Sequence, residues 1–217
     1  KGKERNLLID TGAKPADCLR CLQEGLAELN VSMENTDLFL THMHADHSGL
    51  AKVIASPSSK IYMSAEDIQT SKTVSEPEGW WRSHSYMIEA GYSEEQVRSG
   101  QFVPEKDYRS DLITGVTAVH DGDVLNYGEY ELTAIFTPGH TPGHMCLYAE
   151  REQILFLGDH VLFDITPNIT YWQDFDDPLG TYIHSLLKIR NLPVRISLPA
   201  HRERQCGMAE RIDEIID

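Results

Sequence analysis

The run Thr41-His42-Met43-His44-Ala45-Asp46-His47-Ser48-Gly49 stands directly behind the apolar stretch Thr36-Asp37-Leu38-Phe39-Leu40, and no other feature narrows the fold of this chain so far. The stretch reads as a short buried strand. A strand sends alternate side chains to one face, so the spacing predicts that His42 and His44 point the same way. Asp46 and His47 fall just past the strand, where Ser48-Gly49 and the apolar spacing of Leu50, Val53 and Ile54 predict the start of a helix. The chain can turn them toward a neighbouring position there. The run thus offers two ligands to one metal ion and two to another.

Three later groups repeat the arrangement. Thr137-Pro138-Gly139-His140-Thr141-Pro142-Gly143-His144 follows the strand expected over Tyr130 to Phe136, and its Pro-Gly pairs mark a tight loop. Gly158-Asp159-His160 follows the apolar strand Ile154 to Leu157, and Pro199-Ala200-His201 follows Arg195 to Leu198. A single histidine at a strand end is ordinarily a hydrogen-bonded structural residue. Four groups that all end strands are what one edge of one sheet system produces, and the clustered side chains around His42 are hard to satisfy without a metal.

In order, spacing and flanking residues these motifs resemble the metallo-β-lactamase superfamily, from Leu8-Ile9-Asp10-Thr11-Gly12 to Pro199-Ala200-His201. The resemblance implies an α/β fold, a four-layer αβ/βα sandwich of two mixed β-sheets flanked by helices, with a binuclear site at the sheet edges. Carried over by position, it implies that His42, His44 and His140 bind one metal, that Asp46, His47 and His201 bind the second, and that Asp159 bridges them. His144 resembles a histidine that supports the site without ligating, and Asp10 a buried structural carboxylate beside it. Two divalent ions about 3.5–4 Å apart can share a hydroxide, stabilise it at neutral pH and polarise a carbonyl or phosphoryl oxygen. Hydrolysis then requires no protein nucleophile, and Asp46 can orient the hydroxide while ligating. Zinc is the foremost expectation. With an aspartate and no cysteine at the bridging position, iron and manganese are also compatible.

Length and composition agree. The chain has 217 residues, 41% hydrophobic and 24% charged, which suits one domain over 1–217 with a single substantial core. No apolar run approaches the roughly 20 residues that span a bilayer, so no membrane partner is expected. The chain enters the strand expected over Asn6 to Ile9 almost at once; the resemblance implies strands upstream of that point, and a targeting segment there stays open. Cys18 and Cys21 form a C-x-x-C pair within a helical pattern from Pro15 to Leu29, whose apolar face is Leu19, Leu22, Leu26 and Leu29. They read as buried or half-buried thiols, and Cys146 and Cys206 have no obvious partner. Such cysteine usage fits a reducing, cytoplasmic setting. A net charge of −15, from 34 acidic against 19 basic residues, disfavours nucleic acid, although Arg202 and Arg204 beside His201 could form a local basic patch.

Between the strand Lys60 to Met63 and a strand-like region around Val116 lies a segment of helical character, about 64–115, read as a cap-like insert. It holds Ala65 to Val74, Trp80 to Ala90 and the helix start Ser93-Glu94-Glu95-Gln96, with Gly91 ending one helix. Two readings stand level for Trp80, Trp81, Tyr86 and Met87: they line a substrate pocket, or they bury the insert against the sandwich. The stretch Val161 to Trp172, broken by Pro167, is expected to rim the site. There Phe163, Tyr171 and Trp172 suit an acyl chain or ring, and His160 either contacts substrate or makes a structural bond. Asp177-Pro178 predicts the start of a helix through Leu192, in which His184 is structural.

No Lys or Arg follows Asp159 until Lys188, so the cation expected to hold a β-lactam carboxylate is missing near the site. The Thr-Pro-Gly-His repeat and the aspartate bridge look more like glyoxalase II, the lactonases and the lactamase-beta-like hydrolases. The leading expectation is hydrolysis of a small thioester, ester or lactone. The alternatives are a phosphodiesterase or nuclease-like hydrolase on the same ligand set, a mononuclear iron persulfide dioxygenase, and, last, a metal-free binding module. Nothing in the sequence sets the oligomeric state or the exact substrate.

Overall fold

The structure, a computed structural model, describes residues 1–100, 112–203 and 207–217. Arg204, Cys206 and part of the segment 64–115 lie outside the described residues, and with them half of the basic patch considered above.

Nine short strands among the described residues form two sheets. In chain order the first half contains β1 (Asn6–Ile9), α1 (Ala16–Glu28), β2 (Thr36–Phe39), α2 (Ala45–Ser48), α3 (Ala51–Ile54), β3 (Ile61–Ser64), α4 (Ala65–Ser75), α5 (Pro77–His84), α6 (Glu94–Ser99) and β4 (Val116–Val119). The second half contains β5 (Val124–Tyr127), β6 (Tyr130–Phe136), β7 (Met145–Ala149), β8 (Ile154–Gly158), α7 (Pro178–Ile189), β9 (Ile196–Pro199) and α8 (Met208–Ile216). The first sheet runs β1-β2-β3-β4, all parallel; the second runs β5-β6-β7-β8-β9, antiparallel except for the parallel pair β8 and β9.

The period of two in each strand decides the layers. From β2, Phe39 packs with Met145, Leu147 and Ala149 of β7 and Leu132 and Ala134 of β6, so this cluster lies between the sheets. The alternate residue Leu38 faces the other way, onto Leu50, Ala51 and Ile54 and the inner face of α1 at Leu19 and Leu22. In the second sheet Cys146, Tyr148, Leu155 and Leu157 face away from the first, against Tyr182, Leu186 and Ile189 of α7 and Met208 and Ile212 of α8. Helix, sheet, sheet, helix is the expected four-layer order. Strands buried on both faces read as continuous apolar runs, which is why β7 and β8 carry almost no polar residue.

Several local expectations need correction. Cys18 and Cys21 are exposed, because the stripe Leu19, Leu22 and Leu26 turns them outward, and Leu29 at the helix end is 60% exposed. The expected helix from Trp80 to Ala90 is α5, already begun at Pro77 in the first turn, followed by a 3-10 turn at Ser85–Ile88 and a left-handed Gly91. The helix from Pro178 stops at Ile189, before Leu192; its start is as read, with Asp177 Oδ1 accepting from Gly180 N at 2.9 Å. α6 begins on the expected serine, and its capping box is closed by Gln96.

Candidate metal centre

Four strand ends meet at one rim of the sandwich. β2 delivers His42 and His44, the loop between β6 and β7 delivers His140 and His144, β8 delivers Asp159, and β9 delivers His201. The helix expected after Gly49 begins earlier: His44 is the N-cap residue of α2, and Asp46 and His47 lie in its single turn. This turn lays the His47 ring against His42, with ring centroids 3.9 Å apart, and carries Asp46 toward His201.

His42, His44 and His140 form one group. His44 Nδ1 lies 3.1 Å from His42 Nε2 and 3.0 Å from His140 Nε2. The outer nitrogens fix the tautomers. Thr41 Oγ1 gives its proton to Asp10 Oδ2 at 2.8 Å and therefore accepts from His42 Nδ1 at 3.0 Å, while His140 Nδ1 donates to the Asn168 carbonyl at 2.7 Å. Both Nε2 atoms thus present lone pairs to the same point. Burial, then the neighbouring imidazoles, holds His42 well below its ordinary pKa and brings His44 down to about 3; burial also lowers His140. Neutral nitrogens crowded this closely are the donor set of a cation site.

Asp46, His47 and His201 form the second group, and Asp159 reaches both. Asp159 Oδ2 is 3.4 Å from His140 Nε2, whereas Oδ1 is 3.4 Å from His47 Nε2 and 3.2 Å from His201 Nε2. Asp46 Oδ2 is 3.3 Å from His201 Nε2 and 3.6 Å from His47 Nε2. His47 Nε2 and Asp159 Oδ1 are buried with no hydrogen-bond partner, an arrangement that a metal ion would satisfy. Burial opposes a charge on His47, but the Asp10 and Asp159 carboxylates outweigh it and raise His47 to about 10; the nearby Asp159 and Asp46 carboxylates raise His201 to about 9. Asp159 resists burial through the same imidazoles and stays well below the usual carboxylate range.

The surroundings hold these side chains in place. Asp10, in a left-handed backbone conformation, accepts from Thr41 N and Thr41 Oγ1 at 2.8 Å and pairs with His47 Nδ1 at 2.8 Å. His144 is not among the converging groups: its Nε2 accepts from Asp159 N at 3.1 Å, so Nδ1 donates to Thr137 Oγ1 at 2.9 Å. Gly158 leaves room for that contact, since a Cβ there would lie 2.6 Å from His144 Nε2. Trp172 stacks on His44 with ring centroids 5.9 Å apart and donates from Nε1 to the His140 carbonyl at 3.1 Å. Thr41 and the Asn168 carbonyl were not singled out by sequence; a backbone acceptor leaves no trace in residue identity.

The structure divides the expected rim. Tyr171 is exposed and meets Tyr86 of the helical segment at 5.1 Å, whereas Phe163 packs into the outer core of the second sheet. His160 is fully buried against Tyr182 and cannot face substrate. Trp80 donates to the Val97 carbonyl at 3.1 Å and Trp81 carries Arg98 over its ring at 4.0 Å, so both serve packing within the helical segment. His184 is structural, its Nδ1 2.7 Å from the Gly180 carbonyl. Lys188 is tied to Asp121 and the Phe136 carbonyl. A cavity of about 630 Å³ opens beside Asp46, His47 and His201, with Ile9, Phe156 and Leu198 on its apolar wall.

A model of the metallo-beta-lactamase superfamily matches residues 1–201. The chain is 28% identical over 219 residues to the lactamase-like protein adaB of Aspergillus niger, which covers 99% of this chain and 51% of that protein. It is 34% identical over 100 residues to the atrochrysone carboxyl ACP thioesterase of Aspergillus fumigatus, covering 46% of this chain and 30% of that one. The chain thus spans about half the length of adaB. A metallo-beta-lactamase family protein from Thermus thermophilus superposes with a TM-score of 0.80 at 23% identity, over 99% of this chain and 71% of that one, a likeness of fold.

Proposed function

The chain belongs to the metallo-β-lactamase superfamily, and on that premise we propose that it is a binuclear metallohydrolase of small thioesters, with esters and lactones of similar size as further substrates. The carrying observation is the position of Asp159, whose two oxygens address the His42–His44–His140 group and the Asp46–His47–His201 group separately. These seven residues are assigned as the ligands of two divalent ions, zinc foremost, with Asp159 as the bridge. Bound there, the ions would supply a hydroxide at neutral pH and polarise the acyl oxygen.

The chain's own residues do the rest. Asp46 is 48% exposed against 9% for Asp159, so it is the carboxylate that incoming water meets, and it orients that water toward the acyl carbon. Among the described residues the hydroxyls beside the cluster are engaged: Thr41 Oγ1 is committed to Asp10, and Ser48 Oγ to the Met43 and His44 carbonyls. A thiolate departs without a proton more readily than an amine, because free thiols ionise near pH 8.5. Burial holds His42 and His44 neutral, so neither of these two imidazoles can protonate a leaving amine. Tyr171, Tyr86 and Trp172 supply an apolar flank for the acyl group.

The chain is read as one domain whose helical segment at about 64–115 acts as a cap, with Tyr86 against Tyr171 among its contacts. A small acyl molecule is the expected partner, and the net charge of −15 weighs against nucleic acid. Among the described residues no helix is long and apolar enough to cross a membrane. The described cysteines are all free, in keeping with a reducing compartment such as the cytoplasm. The test is turnover by the zinc-loaded protein of an acyl thioester against bis-p-nitrophenyl phosphate, with Asp46→Asn as control. Thioester turnover that dominates and falls by about 10²–10⁴-fold in the variant supports the reading; dominant phosphodiester turnover overturns it.

A further inference from the structure

Asp67 stands in the first turn of α4, outside the ligand cluster, yet its side chain is completely buried. A carboxylate so placed is costly unless its oxygens are filled with hydrogen bonds. Oδ2 accepts from Met43 N at 2.9 Å and Thr141 Oγ1 at 2.8 Å, and Oδ1 accepts from Gly143 N at 2.7 Å. Met43 lies between His42 and His44, while Thr141 and Gly143 belong to the loop that carries His140. One side chain therefore fastens two loops that arrive from different sheets. The sequence leaves space for it: a Cβ on Gly143 would lie 2.7 Å from Asp67 Oδ1 and 2.4 Å from Asp67 N. The helix is anchored in turn, because its N-cap Ser64 Oγ accepts from Asp67 N at 3.1 Å.

We infer that Asp67 is the positioning residue of the His42–His44–His140 cluster, setting the gap between the two loops and so the affinity and geometry of the metal held there. The inference rests on the metal centre proposed above. Asp67 acts through the backbone on either side of the ligands, and because it heads α4 it also ties the helical segment to the centre. An amide cannot replace it. Asn offers one acceptor oxygen and an NH2 group, so in either orientation the N–H of Met43 or of Gly143 meets another donor.

Metal-free wild type, Asp67→Asn, Thr141→Val and Ser64→Ala are titrated with Co(II) while the visible spectrum is recorded, then with zinc in competition with a chromophoric chelator. Melting temperatures of the metal-free forms are measured alongside. Asp67→Asn is expected to bind the first equivalent roughly tenfold or more weakly, with altered cobalt bands. Thr141→Val, which removes one of the three bonds, falls between it and wild type. Ser64→Ala removes the helix cap but none of the three bonds from Asp67 to the loops, so it lowers the melting temperature and leaves spectrum and affinity unchanged. Wild-type spectra and affinity in Asp67→Asn would overturn the inference, as would a Ser64→Ala shift equal to that of Asp67→Asn. If Asp67→Asn does not fold, Thr141→Val decides in the same way. Failure of wild type to bind either metal would overturn the metal centre itself, and the inference with it.

Discussion

Asp10 shows how much a single carboxylate can organise. Its backbone φ is 56°, a conformation that Asn also tolerates, so Asp10→Asn isolates the side chain from the turn. The amide would set an N–H against Thr41 or against His47 Nδ1. The expected result is an about 10–100-fold loss of metal affinity at the Asp46–His47–His201 side, read by zinc competition, and wild-type affinity would contradict it. Asp37 plays a comparable part far from the centre, accepting from Arg5, Lys60 N and Tyr127. Burial works against its charge, but these donors prevail and hold the folded carboxyl below its ordinary value. The unfolded chain then binds the proton at higher pH, so this stability is fully present above the ordinary carboxylate value and is lost as pH falls through the folded one. Asp37→Asn should lower the urea midpoint at neutral pH and flatten its decline below pH about 4; an unchanged acid slope would contradict the assignment.

Among the elements, the loop between β6 and β7 depends on two glycines for different reasons. Gly143 makes room for Asp67, and Gly139, at φ 143°, lies against α7, where a Cβ would come within 2.4 Å of the Tyr182 Cβ. Gly139→Ala should therefore cost about 1–3 kcal/mol in chemical unfolding, because α7 must shift to accept it; an unchanged midpoint would show that the contact yields freely. The repeated Pro-Gly-His made this loop legible in the sequence; β1 is legible to the residue as a short apolar run, and β6 because Tyr130, Leu132, Ala134 and Phe136 alternate without interruption. β5 was not foreseen. Its burial alternates weakly, its partner is β6 across the tight turn at Gly128, and such pairing is decided by the hairpin more than by composition. The reach of α2 was likewise obscured, since one helical turn is too short to show a period.

At the scale of the molecule, the two sheets matter because they bring the proposed ligands, from residues 42 to 201, to one rim. Clustered histidines made the candidate ligands legible, but the residues that hold them in place could not be read in advance. Thr41, Asp67 and the Asn168 carbonyl gain their roles only when β2, α4 and the loop before Trp172 are packed together. A site that joins both halves of the fold should also stabilise it when filled. Removing metal with a chelator is expected to lower the unfolding midpoint, and restoring zinc at a thousandfold excess over Kd should return about 4 kcal/mol; an indifferent midpoint would place the metal elsewhere. The most direct measurement is anomalous scattering from crystals of the zinc-loaded protein. The account predicts two peaks flanking the Asp159 carboxylate, one against His42, His44 and His140 and the other against Asp46, His47 and His201. A single peak, a peak at Cys18 and Cys21, or none at all would contradict it.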